Sequence, residues 1–341
     1  CLGGYQLCSW IFFNYFHINS NSMEVIASAP AKIILFGEHF VLYGNPAILA
    51  AINRRISVRA VRNNNKLINI HSDGHFVTHI LNAKNMHDPS TSFLSPILKC
   101  VLDILAERRQ DIGIDIMIES DIPFGEGLGS SAASCVATSA ATYLLFGISS
   151  RDKICKKPAL IERTIHKNSS GADCHVSTFG GIVYYNHKNG FRKIQPKRKF
   201  SFAVKTTGLK HATGIMVSQV KEFKDKKNSL FTNLASEAYS ICIEAKKAFL
   251  KGDQTKLGRL MTANQKILSS IGVSHPEVDK LIDDCIKWGA LGAKITGAGG
   301  GGAVIALFPN ECEFLTTKKF GTEWSLVELD NHGVVSSFVK I

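Results

Sequence analysis

The run Pro123-Phe124-Gly125-Glu126-Gly127-Leu128-Gly129-Ser130-Ser131-Ala132-Ala133 sets three glycines and two serines where a strand pattern gives way to a helix pattern. Upstream, Ile112, Ile114, Ile116 and Ile118 alternate with Gly113, Asp115, Met117 and Glu119, a period of two. Downstream, Ala132, Val136, Ala140 and Leu144 recur every four residues, as on one face of a helix. Glycine lets backbone approach an anion closely, and the first turn of a helix presents unpaired N–H groups and the positive end of its dipole. Chemistry built here involves a phosphate. No Gly-Lys-Ser/Thr follows, which excludes the Walker loop. The spacing of Gly125, Gly127 and Gly129 also misses the dinucleotide fingerprint, whose third glycine falls one position later. The plainer reading is a glycine-rich turn capped by Ser130.

Transfer of a phosphoryl group to an alcohol needs a phosphate cradle, a Mg²⁺ site, a group to orient the hydroxyl, and positive charge near the transferred group. The chain has residues of each type. Ser130 and Ser131 offer hydroxyls to a phosphate or a metal. Glu162 lies on an expected helix, and one carboxylate with one hydroxyl suits Mg²⁺, which keeps several of its waters. Asp173 follows Ser169-Ser170-Gly171-Ala172, just before a helix or turn, and Lys32 stands beside a short strand at 33–36. Each alone reads equally well as a cap, a surface carboxylate, a turn residue or a solvated lysine. A second glycine run, 297–302, formally matches Gly-x-Gly-x-x-Gly. A strand pattern follows it instead of a helix, so the dinucleotide reading fails there and close approach of backbone to a ligand is favoured.

The elements around these residues alternate irregularly. Strands are expected at 24–28, 33–36, 56–61 and 67–70, the last two forming a hairpin around the Asn-rich turn at 63–65. Helices are expected at 96–108, after Ser130, and at 158–166. A strand at 180–185 leads into a polar, basic connection at 186–200, the expected domain boundary. Beyond it come a strand at 202–206, helices at 229–251, 253–271 and 276–289, and strands around Ile295 and at 303–308. This order predicts two α+β domains and not one doubly wound sheet. The chain has 341 residues, a length that also suggests two domains.

The net charge is +12, but the lysine and arginine runs are not interleaved with aromatics, so solvated loops are favoured over a nucleic-acid surface. Nine cysteines without a Cys-x-x-Cys pair argue against a disulfide framework and a zinc site, and point to reduced thiols in the cytoplasm. The apolar stretch Leu7 to Phe16 is too short to span a membrane and lacks the features of a signal peptide. Residues 1–22 therefore read as an upstream extension before Met23. No partner beyond a small molecule is expected, neither nucleic acid nor membrane, with a homodimer left open.

Three segments resemble the signature motifs of the GHMP kinases: Ala29 to His39, 123–133, and Lys294 to Gly302. The resemblance covers about residues 25–310. Tyr43-Gly44, Ser170 to Asp173, Ser177 to Gly181, Asn264-Gln265 and Gly272 to His275 narrow it to the branch whose acceptor is a small hydroxy acid of isoprenoid synthesis. It implies an ATP- and Mg²⁺-dependent kinase of two domains. Residues 23–192 would form an N-terminal domain like the second domain of ribosomal protein S5, and 193–341 a ferredoxin-like C-terminal domain. Asp173 falls on the family's catalytic aspartate and Lys32 on its companion lysine. Ser131 and Glu162, which stands eleven residues before Asp173, fall on the Mg²⁺ ligands. Ser120, Pro123, Phe124, Gly125, Glu126, Gly127, Leu128, Gly129, Ser130, Ser131, Ala132 and Ala133 would line the ATP site. Glu38, His39, Thr213, Gly299 and Gly300 would lie near the acceptor. Ser169, Ala31 and His211 depart from residues common in the family. Other branches of the superfamily, and a non-catalytic binding protein on the same fold, are the competing readings.

Overall fold

The computed structural model describes residues 23–72, 75–80, 94–122, 125–165, 170–209, 213–309 and 324–339. The extension at 1–22 and positions Pro123, Phe124, Ser169 and His211 lie outside the described residues.

Two strands expected separately at the start are one, β1 (Glu24–Phe36), with a bulge between Pro30 and Ala31. Proline lacks the N–H that a regular ladder needs, so the register shifts there and the strand continues. β1 pairs with the long strand β2 (Ala47–Asn63). The expected hairpin of β2 with β3 (Leu67–Ser72) does not form. β5 (Gly113–Ser120) lies between them, antiparallel to β2 and parallel to β3, and β4 (His75–Ile80) pairs with the far edge of β3. β5 is buried from Gly113 through Ile118, on both faces, so it suits a central place better than its alternating pattern suggests. Its Asp115 is held there by Asn63 and Asn69, at 2.8 and 2.7 Å.

The polar stretch after residue 186 is not a plain linker. β6 (Ile182–Asn186) and β7 (Gly190–Ile194) form a hairpin, with β6 on the first half of β2. The last strand, β12 (Val335–Phe338), returns to pair with β1, so the expected cut at 192/193 runs through β7 and would separate β12 from its sheet. A second sheet has the order β11-β8-β10-β9, from β8 (Ser201–Thr206), β9 (Gly292–Thr296), β10 (Ala303–Leu307) and β11 (Ser325–Glu328).

Four helices pack together beside the first sheet: α1 (Ser95–Arg108), α2 (Ser130–Leu144), α3 (Arg151–Ile165) and α4 (Ala172–Phe179). α2 and α4 also touch β1. α3 begins before the expected residue 158, because Asp152 stabilises its first turn and Pro158 is accommodated inside it. α5 (Thr213–Lys226), unanticipated, precedes α6 (Asn228–Lys251), α7 (Gln254–Ser270) and α8 (Pro276–Lys287). α7 and α8 cover β9. No helix among the described residues is long and apolar enough to cross a membrane.

Candidate active site

Lys32 sits just past the β1 bulge with its side chain 4% exposed. Its amine reaches Asp173 Oδ2 at 3.2 Å and donates to Gly127 O at 3.2 Å. Its backbone N–H donates to Leu128 O at 2.9 Å, so β1 grips the phosphate loop directly. Asp173 stands in the first turn of α4, where a carboxylate is favoured by the helix dipole. It remains 28% exposed, open to a ligand from the solvent side.

Gly129 caps α2 in the left-handed region, φ +79°. A Cβ there would stand 2.7 Å from Lys32 Cγ, so the lysine stem lies across the glycine. Gly129→Ala is expected to cost about 1–2 kcal/mol in backbone strain and to displace Lys32, lowering kcat further than stability alone accounts for. Gly147→Ala is the control, since Gly147 has φ +72° with open space around it. Similar kcat in the two variants would contradict the packing argument.

The two glycine runs meet. A Cβ on Gly297 would lie 3.2 Å from Gly127 O, and one on Gly302 3.3 Å from Glu126 O. The first turn of α2 carries no acidic residue that would repel a phosphate. Ser131 opens outward there, whereas Ser130 is buried. Ser120 is engaged locally: its hydroxyl donates to Ile122 O at 2.9 Å and accepts from Ile122 N at 3.1 Å, which shapes the entry to the loop.

Glu162 comes to the same place from α3. The Cys174 thiol donates to Glu162 Oε2 at 3.3 Å, one residue beyond Asp173. Burial, with the Glu162 carboxylate next in weight, pushes the Cys174 thiol well up. Cys135 on α2 is raised through its hydrogen bond with Cys100 and by burial, with a smaller contribution from Glu162. Ser131 is one helical turn before Cys135, on the same face of α2. Glu162 thus stands beside the start of α4, and Ser131 is exposed in the first turn of α2; one carboxylate and one hydroxyl are a donor set of the kind that Mg²⁺ shares with substrate phosphates. Among the described residues no cluster of three or more His, Cys, Asp or Glu forms a complete protein cage for a metal.

His39 begins the 3-10 turn His39–Tyr43, and its Nε2 shares a hydrogen bond with Ala298 O at 2.7 Å. Burial holds this imidazole below its ordinary pKa, against the pull of Ala298 O and Glu38. Gly300 is tied by its N–H to Val273 O at 2.8 Å, and Thr213 starts α5 at an exposed position. Glu38 departs from expectation. Its carboxylate is turned inward onto Lys294 Nζ at one oxygen and Asn264 Nδ2 at the other, 3.1 Å away. Both oxygens are engaged by buried partners, so the carboxylate faces the interior and not a ligand. Lys294 is legible as a lone lysine in the apolar strand pattern Gly-Ala-Lys-Ile-Thr, but that anomaly names no partner.

His175, two residues past Asp173, stacks on Phe191 with ring centroids 3.9 Å apart. Burial pulls its pKa down to about 4. The folded state therefore binds this proton less readily than the unfolded chain, and the contribution is full above about pH 6.5. It is lost progressively as pH falls toward 4. Melting temperature is expected to fall from pH 7 to pH 5, and His175→Phe to flatten that slope. An unchanged slope in the variant would contradict this assignment.

The chain matches the GHMP kinase N-terminal domain over residues 96–181 and the GHMP kinase C-terminal domain over 245–313. The chain therefore belongs to the GHMP kinases, a class of ATP-using enzymes, and carries both the N-terminal and the C-terminal domain of that class. It is 37% identical over 299 residues to a mevalonate kinase of Pyrococcus horikoshii, covering 84% of this chain and 89% of that one. The fold matches the crystal structure of the Methanococcus jannaschii mevalonate kinase with a TM-score of 0.79 at 28% identity, over 92% of this chain and all of that one. It matches L. major mevalonate kinase in complex with R-mevalonate with a TM-score of 0.74 at 26% identity, over 89% and 95% of the two chains. Within the class, the chain is a member of the mevalonate kinase family.

Proposed function

We propose that this protein transfers the γ-phosphoryl group of ATP to the 5-hydroxyl of mevalonate, releasing ADP and 5-phosphomevalonate for isoprenoid synthesis. The observation that carries the reading is the Lys32–Asp173 pair, 3.2 Å apart, directly against the glycine loop at the start of α2. In the reaction an oxygen–phosphorus bond forms at the acceptor hydroxyl and the bond from the γ-phosphorus to ADP breaks. Asp173 orients the hydroxyl and receives its proton. In a loose transition state the orienting role outweighs early deprotonation. Lys32 lends positive charge to the transferred group and holds Asp173 in place. The loop 125–129 and the N-terminus of α2 offer fixed N–H dipoles to phosphate oxygens, which need no reorganisation during the reaction.

Ser131 and Glu162 would hold Mg²⁺, which neutralises charge on the β- and γ-phosphates when bound. His39, Gly299 and Gly300 would border the acceptor, with Thr213 at the solvent side. A reducing compartment such as the cytoplasm suits a chain whose six described cysteines are all free thiols.

The test is ADP release with mevalonate, phosphomevalonate, galactose and homoserine as acceptors. Turnover with mevalonate well above the other three is expected. Turnover with one of the others and none with mevalonate would overturn the reading.

A further inference from the structure

Glu38 and Lys294 are among the most completely buried charged side chains described, with side-chain exposures of 1% and 0%. They come from the first signature segment and from the strand leading into the last glycine run, 256 residues apart in sequence. Lys294 Nζ donates to Glu38 Oε1 and, at 2.5 Å, to Ile295 O. The second carboxylate oxygen accepts from Asn264 Nδ2 of α7 at 3.1 Å. Glu38 itself follows Gly37, whose φ of +88° and close fit against Pro46 O leave the chain little freedom there.

The ion pair lies among further ties between the same two segments. The Thr296 hydroxyl accepts from Ile34 N at 2.7 Å and donates to Ile34 O at 3.0 Å. His39 Nε2 meets Ala298 O at 2.7 Å. Residues 34, 38 and 39 are thus joined to 296, 294 and 298. From the other side, Gly300 is bonded to Val273 O, and a Cβ on Gly299 would stand 2.2 Å from that oxygen. The acceptor-side wall, His39 with Ala298 to Gly300, rests on this buried pair.

We propose that the Glu38–Lys294 pair is a positioning device for acceptor binding, which fixes His39 and the loop 297–302 at one separation without either charge touching the substrate. The proposal rests on the kinase reading above and gives the acceptor side of that site its support. Burying two charges is costly, and well-packed apolar residues of similar volume often replace such a pair without loss of stability. Apolar residues would fill the space. They would not direct three hydrogen bonds from one carboxylate and one amine, and so would not set the register between segments. Burial pulls the Lys294 pKa down and Glu38 pulls it back up, so the charge on Lys294 depends on its partner.

The test compares the parent with Lys294→Met, Glu38→Gln and the double variant Glu38→Met/Lys294→Met. Thermal midpoint, ATP affinity by calorimetry, and kcat and KM for mevalonate are measured on each. Lys294→Met alone is expected to lose several degrees, because it leaves a buried carboxylate without its cation. The double variant is expected to regain most of that loss while its KM for mevalonate stays raised by about tenfold or more and ATP affinity stays within about twofold of the parent. Recovery of both the midpoint and the mevalonate KM in the double variant would overturn the proposal, since the pair would then be structural only. An equal rise in ATP and mevalonate constants would also overturn it, as a sign of general loosening. If the double variant does not fold, Glu38→Gln decides by the same split between the two substrates. A parent inactive on mevalonate fails the functional reading instead, and the pair is then judged on the acceptor that the parent does phosphorylate.

Discussion

Asp173→Asn is expected to lower kcat by about 10²–10⁴-fold, the range attributable to a positioned acid–base group. The amide has the size of the carboxylate, so α4 and its packing stay as they are. What goes is the negative charge that faces Lys32 at 3.2 Å and the only acceptor in this pair able to take a proton. Loss of a carboxylate from the first turn of a helix costs little, about 0.3–1 kcal/mol. ATP affinity should hardly change, because the phosphate loop and the start of α2 are separate elements from the first turn of α4, with Lys32 bridging Asp173 and the loop. Steady-state kinetics with both substrates, together with calorimetric titration of ATP, check this. Retained turnover would sink the assignment of Asp173, and a large loss of ATP affinity would move its role from the acceptor to the nucleotide.

The parts of this site that can be read from residues alone are those whose chemistry is local. A glycine run between a strand pattern and a helix pattern predicts a loop that opens a helix, and the structure has one there, because both halves of the signal lie within one stretch of chain. Lys32 and Asp173 are different. Their types fit phosphoryl transfer, but nothing between residues 32 and 173 states that they meet, and only the resemblance to a family pairs them. The same limit governs the sheets. The Asn-rich turn at 63–65 separates β2 from β3 by a hairpin's length, so local pattern sets them side by side. Tertiary pairing places β5 between them, where an apolar strand is buried on both faces. β7 escapes a reading of the sequence because an edge strand facing solvent carries lysine and arginine, the composition of a loop. Glu38 shows the limit most sharply. A glutamate beside a histidine in a signature segment reads as a ligand contact, and its buried lysine lies 256 residues away.

Lys32→Met carries the second large effect. Methionine keeps the unbranched stem that lies across Gly129, so the loop's packing survives, while the charge is removed. Three interactions go with that charge. Gly127 O is left without its donor, Asp173 without its cation, and the transferred phosphoryl group without a positive neighbour. Because Asp173 is 28% exposed, water can solvate it in the variant, so stability should fall by no more than about 1–2 kcal/mol. The kinetic effect should be far larger. Removing one preorganised electrostatic contact at a developing charge costs about 10²–10³ in kcat. Lys32→Arg should not rescue it, since the guanidinium is bulkier and planar and the space under Gly129 admits only a narrow stem. kcat, ATP affinity and melting temperature measured on both variants test this. An arginine variant as active as the parent would show that charge alone suffices, and that the close fit of Lys32 to the glycine loop plays no part in catalysis.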